Sequence, residues 1–199
     1  MSNIGKEFEC RIMLTKSEYL DVVSHFIKLH PYQQFLKIVN TYFDTEDLYL
    51  KNHHMTLRVR SINNTKNELT LKISDPNGDD EINDPLNIKE VDVLLNQGLF
   101  PDGEVKKRLL SLPYSLDSLK PITSLYNLRL EIEFPDHLLV IDKNNYSDIT
   151  DYNLEIEAKD SVKTASMHLN EYIKTFNLTK HGQKYVGKSH RAISAASKN

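Results

Sequence analysis

The chain has 199 residues, 39% of them hydrophobic and 27% charged, with a formal charge of −3. These values describe an ordinary soluble globular protein with enough length for one sizeable core; they argue against a basic nucleic-acid binder and an acidic tail, and no apolar run approaches a membrane span. A single cysteine, Cys10, excludes an internal disulfide and a Cys-based zinc site. The first ten residues hold no apolar signal core, so the expected compartment is the cytoplasm.

No repeat, low-complexity tract or long linker divides the chain, and one domain over residues 1–199 is expected. In chain order, "KEFECRI" (6–12) sets Glu7, Glu9 and Arg11 at every second position and reads as a strand with its charges on one face. "TKSEYLDVVSHFIKLH" opens with a capping box, Thr15 to Glu18, and reads as a helix with Leu20, Val23, Phe26 and Ile27 on one face. "IVNTYFD" (38–44) predicts a strand, and "TEDLYL" (45–50) allows a short helical turn. "TLRVRSI" places Thr56, Arg58 and Arg60 together, and "ELTLKI" does the same for Glu68, Thr70 and Lys72. "IKEVDVLL" (88–95) is read as a strand. "PDGEVKKRLLSL" is read as a helix capped by Asp102, with Val105, Leu109 and Leu112 aligned.

"LRLEIEF" sets Arg129, Glu131 and Glu133 against an apolar face, "HLLVIDKN" (137–144) predicts another strand, and "NLEIEAK" aligns Glu155 and Glu157. "SVKTASMHLNEYIKTF" repeats apolar residues at helical spacing. These are about eight strands without strict β-α alternation, which predicts an α+β fold with an antiparallel sheet, a number compatible with a closed barrel.

A charged strand face is ordinarily a solvated one. Here the polar positions are dense in Glu, Arg and Lys, and the signs are sorted by strand. If the sheet curls on itself, carboxylates and guanidinium groups converge, and burying them unpaired is very costly. A divalent cation among the acids and a polyanion against the bases would neutralise both; an all-carboxylate site suits Mg2+ or Mn2+.

Other motifs carry less. "GQKYVGKS" (182–189) matches the phosphate-loop pattern, but that loop needs a strand before it and a long helix after it inside a βαβ unit. The eight histidines form no H-E-x-x-H, no G-x-S-x-G is present, and Cys10 points to the apolar side as a core thiol.

Taken together, Glu7-x-Glu9-x-Arg11, "NTYFDT", the Arg-x-Arg of "TLRVR", "LTLK", "LRLEIEF" and "VIDKNNYSDITDYNLEIEAKD" resemble, in order, the motifs of the CYTH superfamily, the triphosphate tunnel metalloenzymes. The resemblance runs from about Lys6 to Arg191 and is strongest to small stand-alone proteins of low-GC Gram-positive bacteria. It implies a closed eight-stranded antiparallel barrel forming a tunnel, with helices packed outside. It also implies metal-dependent hydrolysis of a triphosphate (inorganic triphosphate, thiamine triphosphate or a nucleoside triphosphate), with adenylyl cyclase or a non-catalytic nucleotide- or polyphosphate-binding protein as alternatives.

Carried over position by position, Glu7, Glu9, Glu155 and Glu157 become metal ligands, with Glu131 and Asp142 as helpers. Arg58, Arg60, Lys72 and Arg129 become phosphate clamps, joined by Lys188, Lys184 and Arg191 from the C-terminal basic segment and by Glu90 as a further acidic tunnel residue. Arg11 stands where the family signature has lysine. The two are not interchangeable, since Arg is a planar fork and Lys a compact point charge. The implied partner is a triphosphate-bearing small molecule, with neither nucleic acid nor membrane involved. Oligomeric state is left open.

Overall fold

A strand that alternates Glu, Arg and Lys with Leu, Val and Ile must bury its apolar face and find partners for its charges. The protein solves both demands by closing the sheet. The computed structural model describes residues 3–179 and 186–197. Eight antiparallel strands form a barrel in the order β1-β5-β4-β3-β2-β6-β7-β8. They are β1 Asn3–Leu14, β2 Leu36–Asp44, β3 Met55–Ile62, β4 Lys66–Ile73, β5 Asp79–Leu86, β6 Lys120–Glu133, β7 His137–Tyr146 and β8 Ile149–Ala158. The helices are α1 Lys16–Leu29, α2 Tyr49–Asn52, α3 Ile88–Gln97, α4 Glu104–Leu110, α5 Val162–Thr175 and α6 Lys188–Ala196.

The apolar faces point outward, beneath the helices. Helices α1 and α5 cover β1, β6, β7 and β8 through Val22, Phe26, Leu130, Ile141, Leu154, Ala165 and Leu169. Helices α2, α3 and α4 cover the opposite wall through Leu50, Leu57, Leu69, Leu71, Leu94, Val105 and Leu109. Val22, Leu69, Leu130 and Leu154 are wholly buried, and each such side chain stabilises the fold by about 1.5–3 kcal/mol over its exposed state. Cys10 belongs to this outer layer, its thiol directed at the Val162 carbonyl; burial pushes the thiol pKa up.

Several expectations are corrected. Residues 88–95 form helix α3, not a strand: Asn87 caps it, Glu90 completes the capping box, and Gly98 ends it at φ 72. The missing strand is β5, "DDEINDPL", which carried no clear apolar alternation because its outward face mixes Asp80 and Asp84 with Ile82 and Leu86. Its outward Asp84 accepts the backbone N–H groups of Glu104 and Val105 at 3.2 and 2.8 Å. Asp84 thus does the capping expected of Asp102, and Gly103 is the residue that lets it approach: a Cβ there would lie 2.2 Å from Asp84 Oδ2. In α1 the buried face is Tyr19, Val22, Val23 and Phe26, whereas Leu20 and Ile27 are exposed. The turn after β2 becomes helical only from Tyr49.

The capping box at Thr15 and Glu18 is present with both reciprocal bonds. Partial burial raises the Glu18 pKa, but the backbone N–H groups of Thr179 and Thr15 outweigh it, taking the carboxyl from its ordinary 4.5 to about 2. Thr15→Ala is expected to cost about 1 kcal/mol in urea denaturation at pH 7. A carboxyl whose folded pKa is depressed stabilises fully above its unfolded value and loses that contribution as pH falls through the folded one. The Thr15→Ala penalty should therefore shrink between pH 4.5 and 2, the limits set by Glu18.

Candidate active site: a charged tunnel

The inward faces of the strands define a cavity of about 220 Å³. Six acids (Glu7, Glu9, Asp79, Glu131, Glu155, Glu157) and six bases (Arg11, Arg58, Arg60, Lys72, Arg129, Lys188) line it, with Tyr42, Thr56, Ser74 and Ser189 between them. Strand register explains the grouping. β1 pairs with β8 so that Glu9 faces Glu157 and Arg11 faces Glu155, and β3 pairs with β4 so that Thr56 faces Lys72. The side-chain period of two then aims all of these residues into the lumen.

The acids concentrate on β1 and β8. Ligand atoms of Glu9, Glu155 and Glu157 lie within 4.8 Å of one another. Burial raises the pKa of Glu9, but Arg11 and Lys72 overcome it and hold the carboxyl at about 2. Burial, with Glu7, Glu155 and Glu9 close by, pushes Glu157 up to about 7 even though Arg129 opposes it. Such crowding of hard oxygen donors fits a divalent cation. The Arg11 guanidinium bridges this cluster, bonding Glu9 and reaching Glu155 Oε1 at 3.4 Å. Lys72 Nζ contacts Glu7 and Glu9 at 2.7 Å each and Asp79 at 3.0 Å.

Apart from Arg11 on β1, the bases come from β3, β4, β6 and α6. Burial, then Arg58 and Arg129, lower the Arg60 pKa to about 10, so positive charge is crowded on that wall. Arg58 reaches Glu81 at 3.5 Å, and its Nε is buried without a hydrogen-bond partner among the described residues. Arg129 holds Asp142 through two bonds, 2.9 and 3.0 Å. Lys188 Nζ, at the start of α6, bonds Asp142 at 2.6 Å and Glu155 at 2.8 Å.

Not every expected residue lies in the lumen. Asp142, wholly buried, stands behind Arg129 and Lys188 rather than with the three-acid cluster, and it orients those bases. Glu90 sits outside the barrel, its carboxylate accepting the Asn87 N–H at 2.8 Å. The acidic positions that sequence reasoning missed are Asp79 and Glu81 on β5, whose signal was the every-second-residue run Asp79, Glu81, Asn83. Arg191 grips Asp151 at 2.8 and 3.0 Å and so fastens α6 to β8. Lys184 lies outside the described residues. Residues 187–189 of the phosphate-loop match open α6, but the surrounding sheet is antiparallel and closed, so the βαβ setting of that loop is absent.

No described helix is long and apolar enough to cross a membrane. The CYTH domain family model matches residues 5–175. Over 154 residues the chain is 34% identical to the protein named "Putative triphosphatase YjbK" of Bacillus subtilis (strain 168), covering 77% of this chain and 78% of that one. A crystal structure from Bacillus halodurans, described as a "putative adenylate cyclase", superposes with a TM-score of 0.85 at 30% identity, covering 94% of this chain and 97% of that one. A Hippeastrum protein described as having "a dominant" triphosphatase activity shares the fold, with a TM-score of 0.72 at 18% identity and coverage of 89% and 92%. With the family model matching residues 5–175, most of a chain that folds as a closed eight-stranded barrel, the chain belongs to the CYTH domain family.

Proposed function

We propose that this protein hydrolyses a small-molecule triphosphate inside the tunnel, in the cytoplasm, with Mg2+ or Mn2+ as its cofactor. One observation carries the reading: an acidic wall and a basic wall share one lumen of about 220 Å³. The basic wall holds an Arg58 Nε without a partner among the described residues, and the acidic wall holds a Glu157 raised to about 7.

Arg58, Arg60, Lys72, Arg129 and Lys188 would hold the phosphoryl oxygens and stabilise the charge that develops on them as the terminal bond breaks. Glu9, Glu155 and Glu157 would hold the cation, with Glu7 and Glu131 beside them. When bound, the ion supplies charge neutralisation and Lewis acidity at the phosphoryl oxygens. Arg11 keeps Glu9 and Glu155 in place from within the acidic wall.

The pairing pattern supports coupled binding. Lys72 serves Glu7, Glu9 and Asp79, and Lys188 serves Asp142 and Glu155. A triphosphate that draws these ammonium groups onto its oxygens releases carboxylates to the cation. Each ligand therefore favours the other, and linkage makes the effect reciprocal.

The test is phosphate release from inorganic triphosphate, thiamine triphosphate and ATP, each with Mg2+, Mn2+ or excess chelator. Release from at least one substrate, abolished by the chelator, is the expected result. Cyclic AMP from ATP with Mn2+ would replace the hydrolase by a cyclase. Tight triphosphate binding with no product would replace it by a binding protein, a reading that the Arg11 clamp on the acids favours.

A further inference from the structure

A second group of chemically able side chains lies outside the tunnel. The β6–β7 turn supplies Asp136, β7 begins with His137, and α5 brings His168 over both. Asp136 Oδ1 lies 2.8 Å from His137 Nδ1, and Oδ2 lies 2.9 Å from His168 Nε2. The far nitrogen of each ring is also held: Tyr172 Oη is 3.0 Å from His137 Nε2, and Glu171 Oε2 is 3.2 Å from His168 Nδ1. One ligand atom each from Asp136, His137 and His168 fall within 4.8 Å of one another. His137 is 5% exposed, while Asp136 opens the cluster to solvent.

The proton placement leaves this arrangement incomplete. An ionised Glu171 accepts only, so the hydrogen of its bond sits on His168 Nδ1. A neutral His168 then turns its Nε2 lone pair toward a carboxylate oxygen 2.9 Å away. That Nε2 is buried and makes no hydrogen bond among the described residues. His137 differs: its Nδ1–H donates to Asp136 Oδ1 at 2.8 Å, because a carboxylate only accepts, and Tyr172 Oη then donates to Nε2. A metal ion takes the place of that Nδ1 proton, with the hydrogen moved to Nε2 and accepted by Tyr172 Oη; outer acceptors at both far nitrogens are the partners that ligating histidines have.

We propose that Asp136, His137 and His168 form a metal site separate from the tunnel, for a borderline transition ion of the Zn2+ class. Two imidazoles and one carboxylate suit that ion over Mg2+, and three protein ligands leave a fourth position open to solvent through Asp136. The rings stack with centroids 4.1 Å apart and 19° between planes. The His168 ring must tilt out of the stack for both lone pairs to converge on one ion. Occupancy ties α5 to the start of β7. It also sets the ion beside the tunnel wall, since the groove containing His137 shares Glu7, Glu131 and Glu157 with the lumen.

The test is calorimetric titration of the full chain with ZnCl2 in excess MgCl2, so that Mg2+ competes at the oxygen-only tunnel acids and not at imidazole nitrogen. One equivalent of Zn2+ is expected to bind. His168→Ala and, separately, Asp136→Asn at the exposed ligand are each expected to weaken binding by at least about tenfold, and Tyr172→Phe by about tenfold. A visible Co2+ absorption band lost in the first two variants would support the same ligands. No Zn2+ uptake in excess Mg2+, or uptake indifferent to both ligand substitutions, overturns the proposal. It would leave the cluster as an imidazolium ion pair.

Discussion

Glu9→Gln is expected to lower metal-dependent phosphate release by roughly 10²–10³-fold, the scale of losing one preorganised electrostatic group from an active site. The substitution keeps shape but removes the charge that Arg11 and Lys72 both address and that belongs to the three-acid cluster with Glu155 and Glu157. Two consequences follow from the same change. The acid cluster loses affinity for its cation, and Lys72 loses one of the carboxylates that position it. Triphosphate binding in excess chelator should change far less than turnover, because the basic wall stays intact. Turnover equal to that of the wild type, in a variant with unchanged circular dichroism, would remove Glu9 from the mechanism and with it the acidic wall as the cation site.

Asp142→Ala is expected to act on stability first. Asp142 is completely buried and accepts from Arg129, Lys188 and Asn153. Burial alone would raise its pKa, but Arg129 and Lys188 together depress it below the usual carboxylate range. Deleting one member of a buried ionic group leaves the others uncompensated, at a cost of about 3–5 kcal/mol. For a chain of this size that corresponds to a fall in Tm of roughly 10 °C. Asp142→Asn, which keeps one acceptor oxygen, should lie between the two. Activity falls in both variants, since Arg129 and Lys188 lose the group that aims them. A loss below about 1 kcal/mol by urea denaturation would mean that Glu155 alone compensates both bases, and that the Asp142 network is not what holds the tunnel wall together.

The strands with a charged and an apolar face were readable because the period of two is local. Glu7-x-Glu9-x-Arg11, Arg58-x-Arg60 and Glu155-x-Glu157 each announce a strand; that their charged faces line an interior followed from closure of the sheet, which the family resemblance implied. Capping residues were equally local: Thr15 with Glu18 started α1 where expected. β5 was not readable, because its inward face is polar and its outward face mixes Asp80 and Asp84 with Ile82 and Leu86. Asp79 and Glu81 address tunnel bases, while Asp84 on the other face caps a helix twenty residues later. Residues 88–95 were misread because a short apolar run fits either period, and Asn87, Glu90 and Gly98 decided for helix.

What the sequence determined by itself, then, was the alternating charged strands of β1, β3, β4, β6 and β8 and the α+β class they build. Which acid meets which base was decided only by closure of the barrel, since register across β1–β8 and β3–β4 places residues far apart in the chain at one height. Closure also set Asp142 behind the wall and brought α6 to the lumen with Lys188. The grouping of Asp136, His137 and His168 has the same origin. No local period links a strand end to a helix face 31 residues on, so only packing of α5 against β7 could bring those donors within 4.8 Å.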